Sequence, residues 1–178
     1  VGGLKNMINY ANKYRIYPNK EQQKLIWKNI NGARFVYNAL LADAKQQYEE
    51  TGKSKIKYPS WVKNKPNNEF LKDCDYQALH YAERNLNKAY QNFFRGIKKH
   101  QKVGFPKFKN YHKCTWSYKT GKDKNTNNIR IEDGHIKLPK ISPIKIVLHR
   151  PLPDNCRIIS ATVSMTKSGE YYVSIGFE

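Results

Sequence analysis

Lysines interleaved with aromatic residues distinguish the stretch from Lys98 to Lys124. It holds nine Lys and a single acidic residue, Asp123. Lysine ammonium groups neutralise phosphates and release counterions, and an exposed aromatic ring can stack on a base for about 1–3 kcal/mol. The stretch therefore predicts a nucleic-acid-binding surface, to which the chain contributes the aromatic residues Phe105, Phe108, Tyr111, Trp116 and Tyr118.

Trp116 and Tyr118 allow two interpretations. They alternate with polar residues at period two, and aromatics in such a pattern usually face a core. Stacking on bases and packing inside the protein therefore remain open for both rings.

Further basic residues are distributed over the predicted strands and helices. Arg34 and Asn38 lie one helical turn apart, where they can read phosphates or base edges, whereas Tyr37 lies on the apolar stripe. A set along a later helix, including Arg84 and Lys88, is equally consistent with a solvated face. The remaining candidate nucleic-acid-binding residues are Lys13, Arg15, Tyr17, Arg95, Lys98, Lys99, Lys107, Lys109, Lys113, Lys119, Lys137, Lys140, Lys145, His149 and Arg150.

Carboxylates, by contrast, are few and dispersed. A metal-dependent nuclease needs clustered carboxylates to hold divalent ions. His112 and Cys114 form a close His/Cys pair but lack the paired spacing of a zinc site. We expect no catalytic residue, no metal and no cofactor in this chain. The acids at predicted caps and turns are Glu49, Glu50, Asp73, Asp75, Glu132 and Asp133.

The net charge is strongly positive. The chain has 33 Lys+Arg against 14 Asp+Glu, a formal charge of +19 that is spread over both halves. The natural partner of such a surface is a polyanion, and nucleic acid is favoured. Simple solubility is the alternative, and no basic amphipathic helix suggests a membrane surface.

Neither a membrane span nor a disulfide framework is expected. No apolar run approaches about 18 residues, and the N-terminus lacks a signal sequence. The three cysteines are odd in number and far apart. We therefore expect a soluble cytoplasmic protein.

Helical periodicity begins after Pro18. Asn19 and Gln22 form a capping-box pair, and apolar residues recur at helical spacing until Gly52, which is placed to end the helix. Gly32 inside this helix predicts a break or a close packing contact.

A second long helix is predicted after a short turn at Pro59-Ser60. Asp75 is expected to cap it, and basic residues lie off its apolar stripe. The stripe consists of Leu79, Ala82, Leu86, Ala89, Tyr90, Phe93 and Ile97.

Period-two patterns replace helical ones after Gly104. Two hairpins are predicted, one around Asp133-Gly134 and one around residues 167–169, and alternation is also seen from Ile144 to Leu148. Five or six short strands at this spacing predict a small β-barrel.

The segment 10–17 also reads as a strand and is too short to stand alone, so we expect it to join the later strands. Lys13 and Arg15 would then form one basic face with Lys145 and His149. The fold class is α+β: a β-barrel interrupted by an inserted helical block.

Several motifs, in this order, resemble the TnpB (OrfB) proteins of insertion sequences. The resemblance runs from Tyr10 to the end of the chain. It is seen in the segments 13–19, 32–38, 89–94, 104–109, 136–140, 148–153 and 168–174.

This resemblance implies an RNA-guided DNA endonuclease of prokaryotic cells. In that family an oligonucleotide-binding "wedge" barrel is interrupted by a helical recognition domain, and both hold guide RNA and target DNA. The implied domains are the first wedge strand at 8–18, the helical recognition insertion at 19–104 and the remainder of the wedge at 105–178.

The family's catalytic part is expected to lie outside this chain. Its first catalytic Asp follows the strand that matches residues 171–174, and its zinc-binding Cys pairs come later still. The divalent metal and the structural zinc of the family would therefore also lie outside. Residues 1–6 precede the family's usual opening at Met7, and we expect them to be extraneous.

Three functions remain open at this stage. The first is the guide-RNA- and target-DNA-binding front of a TnpB-like nuclease. The second is a stand-alone basic DNA or RNA binder, similar to a repressor and derived from a truncated transposase. The third is a small enzyme whose site is not evident.

Overall fold

The computed structural model describes residues 10–123 and 125–178 and has an α+β fold. Residues 1–9, which include the predicted extraneous segment 1–6 and residues 8 and 9 of the predicted first wedge segment, and Lys124 lie outside the described residues. The elements are β1 (Tyr10–Tyr17), α1 (Lys20–Thr51), α2 (Pro59–Lys63), a 3₁₀ helix (Glu69–Asp73), α3 (Tyr76–Lys98), β2 (Trp116–Gly121), β3 (Arg130–Glu132), β4 (His135–Leu138), β5 (Ile141–Val147), β6 (Ile158–Met165) and β7 (Tyr171–Phe177).

All seven strands belong to one antiparallel sheet in the order β2-β6-β7-β1-β5-β4-β3. β1 lies inside the sheet, where it pairs with β7 along its length and with β5 at Arg15–Tyr17. The prediction that residues 10–17 join the later strands is therefore confirmed. The sheet curls into a half-barrel with β2 and β3 at its two edges.

The half-barrel differs from the predicted small barrel, which had five or six strands. Within the described residues β2 pairs with β6 alone, and β3, only three residues long, pairs with β4 alone. The α+β class is confirmed, whereas the assignment of a wedge fold with an inserted recognition domain stays a prediction.

Both predicted hairpins are confirmed. β3 and β4 pair around Asp133 (φ 49°) and Gly134 (φ 71°), which adopt the left-handed conformation that a tight hairpin turn requires. The turn at residues 167–169 joins β6 to β7.

The ends of α1 follow the predicted capping chemistry. The Asn19 side chain accepts from the Gln22 backbone N–H, and the Gln22 side chain accepts from the Asn19 N–H, each at 2.9 Å. Gly52 ends the helix at φ 69°. The helix is continuous through Gly32, where an added Cβ would lie 2.5 Å from Cys74 Sγ. Gly32 is therefore a close packing contact and not a break.

α3 begins at the predicted cap, and its C-terminal end extends beyond the residues against which the helix packs. The Asp75 carboxylate accepts from the Gln77 N–H at 3.0 Å. Ile97 at the end of the apolar stripe is half exposed, so its expected place in the core is wrong. Of the other stripe residues, four are buried and two are half-buried: Leu79, Ala82, Leu86 and Tyr90, and Ala89 and Phe93. Leu148 is likewise exposed, because β5 ends at Val147.

One hydrophobic core fills the concave side of the sheet beneath α1 and α3. The Gln22 amide at the start of α1 donates to the carbonyls of Ser142 and Pro143 in β5. The Thr120 hydroxyl of β2 is hydrogen-bonded to the buried Asp75 carboxylate at the start of α3. These bonds fix the helices against the sheet, and Tyr81 of α3 also covers part of the outward side of β2, where a Cβ at Gly121 would lie 3.1 Å from its ring. Within the described residues, each helix is too short or too polar to cross a bilayer.

Candidate nucleic-acid interface

The convex side of the sheet carries a set of basic and aromatic side chains. Alternation along β1 buries Tyr14 and Ile16 on the concave side and turns the residues between them outward. Strand pairing brings neighbours from four other strands beside them. We define the outer sheet face as Lys13, Arg15, Tyr17, Lys119, Lys145 and Tyr172.

Lys13 and Lys119 end a single row across four strands. Lys13 lies opposite Ser174, Ser174 opposite Thr162, and Thr162 opposite Lys119. Three strand spacings of about 4.8 Å separate the two lysines by about 14 Å along the sheet. Lys13 is exposed, whereas Lys119 is half-buried and its ammonium lies 5.0 Å from the centre of the Tyr81 ring of α3, so Lys13 is the better placed of the two to contact a phosphate.

Arg15 is held firmly by its neighbours. Its guanidinium donates to Glu170 at 2.6 Å and to the Tyr172 hydroxyl at 3.4 Å. Its Nε is buried and has no hydrogen-bond partner within the described residues. Glu170 raises the pKa of Arg15 and neutralises part of its charge, so a phosphate must compete with this carboxylate.

Tyr172 is a member of this face that residue-by-residue reasoning missed. The Lys13 ammonium lies 4.5 Å and the Arg15 guanidinium 5.2 Å from the centre of its ring. Tyr171 beside it is buried, and period-two alternation therefore places Tyr172 outside. That alternation was the available signal.

Lys145 and His149, which were predicted to share one basic face with Lys13 and Arg15, lie in different surroundings. Lys145 lies opposite the half-exposed Tyr17 and belongs to the outer sheet face. His149 follows the strand and packs on Tyr14 with ring centres 5.5 Å apart. Arg150 is exposed in the loop beyond it.

A second surface is the segment 99–115 between α3 and β2, which we call the basic loop. Its aromatic residues hold it on the helices. Phe105 packs edge-on against Tyr90 and Phe93 of α3, and Tyr111 packs near Trp27 of α1. The aromatics predicted to stack on bases are thus partly used to fix the loop.

The lysines of the basic loop point in different directions. Lys107 and Lys113 are exposed. Lys109 is half-buried, its ammonium lies 4.4 Å from the Tyr37 ring centre, and burial lowers its pKa. Lys107 and Lys113 are therefore better placed than Lys109 to reach a phosphate. Tyr37 is buried, as the sequence predicted.

Asn38 and Arg34 face the basic loop and not open solvent. The Asn38 amide binds the backbone of Lys109 through both its nitrogen and its oxygen. The Arg34 guanidinium is 5.5 Å from the Tyr111 ring centre. Asn38 has an evident structural role, which sequence spacing did not indicate.

The two interpretations of Trp116 and Tyr118 are resolved differently for each ring. Tyr118 is only 3% exposed and burial raises its pKa, so this ring belongs to the core and does not stack on bases. Trp116 is half-buried against Trp27, and the Lys167 ammonium lies 3.1 Å from its ring centre.

A third surface is the exposed side of α3. Lys88, Arg95 and Lys98 are exposed, as are Arg84, whose guanidinium lies 5.2 Å from the Tyr81 ring centre, and Lys99. No carboxylate within the described residues forms an ion pair with any of the five.

Two predicted residues instead bind the protein's own backbone. The Lys140 ammonium donates to the carbonyls of Lys72 at 2.8 Å and Cys74 at 3.0 Å. The Lys137 ammonium donates to the Ile141 carbonyl. Both have structural roles that their exposed-strand pattern did not indicate.

Across residues 10–123 and 125–178, no group of three or more His, Cys, Asp or Glu side chains is placed to hold a metal ion. The three cysteines are unpaired thiols. The interface is built from cations, aromatic rings and hydroxyls.

Comparison with known proteins shows what the chain is similar to. Residues 7–53 match the helix-turn-helix domain of the OrfB family of IS605 elements. The chain is 28% identical, over 97% of its length, to a Streptomyces pristinaespiralis protein named "Putative RNA-guided DNA endonuclease". It is also 28% identical, over 94% of its length, to "Putative RNA-guided DNA endonuclease InsQ" of Escherichia coli K12.

The chain is similar to TnpB/OrfB proteins. The resemblance predicted from the sequence motifs is confirmed, together with its association with insertion sequences. The chain spans about two fifths of the length of these relatives, 42% of the first and 40% of the second.

Over its described residues, the matched segment does not have helix-turn-helix geometry. From residue 10 to residue 51 it consists of one strand, β1, and one continuous 32-residue helix, α1. A helix-turn-helix reads DNA with a second helix set across the first. In this chain the same segment supplies the outer sheet face and the helix beneath the basic loop.

Proposed function

We propose that this chain is the nucleic-acid-binding N-terminal portion of a TnpB-like RNA-guided DNA endonuclease, and that it holds guide RNA and target DNA. The observation that carries the proposal is the outer sheet face, where Lys13 and Lys119 end a strip of hydroxyls and Arg15 and Tyr172 lie beside it. The similarity to proteins named as RNA-guided DNA endonucleases supports the same conclusion.

Electrostatics supplies most of the affinity in this proposal. The net charge of +19 attracts a polyanion, and each phosphate contact releases a counterion. Exposed lysines of the outer sheet face and of the basic loop make these contacts. Lys13 and Lys107 are the clearest examples, because both are exposed.

In the proposal, the outer sheet face and the exposed side of α3 have different partners. The outer sheet face spans several strands on the convex side of the half-barrel, and its lysines suit the phosphate backbone of a folded guide RNA. The exposed side of α3 carries cations at helical spacing from Arg84 to Lys99, which suits the paired strands of a guide–target duplex.

We further propose that the chain does not cleave DNA. Nuclease chemistry would belong to a RuvC-like domain outside this chain. Binding by residues 1–178 is expected to need no metal ion and no cofactor.

Binding to RNA transcribed from the end of the encoding insertion sequence tests the proposal. We expect this RNA to bind at least tenfold more tightly than a scrambled RNA of the same length, and equally well with Mg²⁺ or EDTA. Equal affinity for both RNAs would instead favour a stand-alone basic binder. Mg²⁺-dependent cleavage by the purified chain would contradict the absence of a catalytic role.

A further inference from the structure

An apolar cleft lies along α1, next to the contact between Trp27 and Tyr111 of the basic loop, and its lining residues come from α1 and the 3₁₀ helix. Its volume is about 640 Å³, within the usual range of about 300–1,000 Å³ for ligand sites. Trp27 of α1 and Phe70 of the 3₁₀ helix line it. Its further lining residues, at helical spacing along α1, include Lys20, Lys24, Lys28 and Asn31.

Both aromatic walls are supported from behind. Trp27 packs edge-on against Trp116, with ring centres 5.1 Å apart. Phe70 packs edge-on against Phe35 at 5.2 Å and remains 47% exposed. Aromatic rings prefer such edge-to-face pairs, which fix their orientation while leaving the other surface open.

Three lysines surround the aromatic walls. Lys24 pairs with Glu21 at 2.9 Å, and Lys28 pairs with Asp73 at 3.5 Å. Both pairs are solvent-exposed, and such pairs contribute little, so a phosphate can replace the carboxylates. Lys20 makes no ion pair within the described residues and is exposed.

We propose that this cleft binds an unpaired nucleotide of a single strand, with its base against Trp27 and Phe70 and its phosphates on Lys20, Lys24 and Lys28. The inference deepens the proposed function, because it assumes a nucleic-acid partner and adds a site for an unstacked base. Charge complementarity favours a nucleotide over an apolar peptide, since three ammonium groups adjoin the apolar walls.

The Asn31 amide adds a hydrogen-bonding group at the same cleft. Asn can pair with the edge of an adenine. The neighbouring Gln23 amide donates to the Pro18 carbonyl at 3.0 Å and is already used. Asn31 therefore gives the cleft a means to prefer one base over another.

The variant Phe70→Ala tests the nucleotide site in this cleft, and Phe94→Ala is its control. Both rings are about half exposed, but Phe94 lies on α3 outside the cleft. The probe is a single strand of about twelve nucleotides, and a fully paired duplex of the same sequence is the comparison. We expect Phe70→Ala to weaken single-strand binding five- to tenfold and leave duplex binding within twofold. Phe94→Ala should change neither.

Photocrosslinking of the unmodified chain gives a second measurement that needs no substitution. A single strand carrying 5-iodouracil should crosslink to Trp27 or Phe70, as read by mass spectrometry of the digested complex. Crosslinks confined to other peptides, or equal effects of the two Phe variants, would overturn the inference. Single-strand binding that is retained in those cases would leave the proposed function standing, whereas no binding to any nucleic acid would contradict both.

Discussion

The Asn38 side chain binds both polar groups of the Lys109 backbone. Its Nδ2 donates to the Lys109 carbonyl at 3.1 Å, and its Oδ1 accepts from the Lys109 N–H at 2.8 Å. Seventy-one positions separate the two residues. A side chain that looked suited to reading base edges is thus used to fix the basic loop on α1.

Substitution of Asn38 should therefore act on stability and not on sequence preference. Asn38→Ala removes two hydrogen bonds to partly buried backbone groups, and we expect the free energy of unfolding to fall by about 1–3 kcal/mol. Urea denaturation followed by tryptophan fluorescence measures this change. Asn38→Asp should not restore stability, because its second carboxylate oxygen would face the Lys109 carbonyl oxygen without a proton to donate.

RNA binding by the same variants tests whether Asn38 also affects sequence preference. Asn38→Ala should weaken binding to the element-end RNA and to its scramble by the same factor. Unchanged stability together with a selective loss for one RNA would show that Asn38 reads bases.

The packing around Gly32 should leave no room even for a methyl group. Its Cβ would lie 2.5 Å from the sulfur of the buried Cys74, and overpacking costs about 1–3 kcal/mol. We expect Gly32→Ala to destabilise the protein despite a gain of about 1 kcal/mol in helix propensity. Combining it with Cys74→Ala should recover most of the loss in a double-mutant cycle. Additive losses would place the strain elsewhere.

Glu170 should restrain nucleic-acid binding, because it occupies the Arg15 guanidinium at 2.6 Å. Glu170→Gln is expected to raise affinity for duplex DNA several-fold at low salt. Glu50→Gln, which adds the same charge at the end of α1, is the control. If both variants raise affinity equally, only net charge matters and Arg15 makes no contact.

The buried Asp75 carboxylate should make stability depend on pH. Burial raises its pKa, although the Thr120 hydroxyl, the Gln77 N–H and Lys140 oppose the shift. A raised folded-state pKa means that the folded state binds more protons, so this contribution to stability falls as pH rises from about 3.8 through the folded pKa.

Asp75→Asn removes that titration while keeping a side-chain oxygen for the cap and gaining a donor for Thr120. The free energy of unfolding of the variant, relative to the parent, should therefore increase between pH 4 and pH 7. Urea denaturation at the two pH values measures it. A relative stability that stays constant or decreases would contradict a raised pKa.

Local patterns predicted the fold well where the signals lie close together in sequence. The Asn19 capping box, the Gly52 terminus and the Asp133-Gly134 hairpin each depend on neighbouring residues, and all are confirmed. The pairing of β1 with later strands was also predictable, because a short amphipathic strand needs partners.

Long-range contacts could not be predicted in this way. Arg15 and Glu170 are 155 positions apart, and Trp27 meets Phe70 only across a cleft between two helices. Hydrophobic period indicates which face of an element is buried but not which distant polar group lies opposite. The backbone contacts of Asn38, Lys137 and Lys140 could therefore not be predicted, and Tyr172 was missed.

The salt dependence of binding tests the central claim most directly. The test variant is Lys13→Ala/Lys107→Ala, which removes one lysine of the outer sheet face and one of the basic loop. The control variant is Lys53→Ala/Lys55→Ala, which removes two exposed lysines outside these two surfaces. The logarithm of the binding constant for the element-end RNA should fall linearly with the logarithm of salt concentration. We expect the first variant to flatten that slope by about 0.7–0.9 for each lost contact and the second to leave it nearly unchanged. Weak binding at low salt would mean that the charge of +19 serves only solubility and would contradict a nucleic-acid-binding function, whereas identical slopes for both variants would contradict the assignment of Lys13 and Lys107 as phosphate contacts.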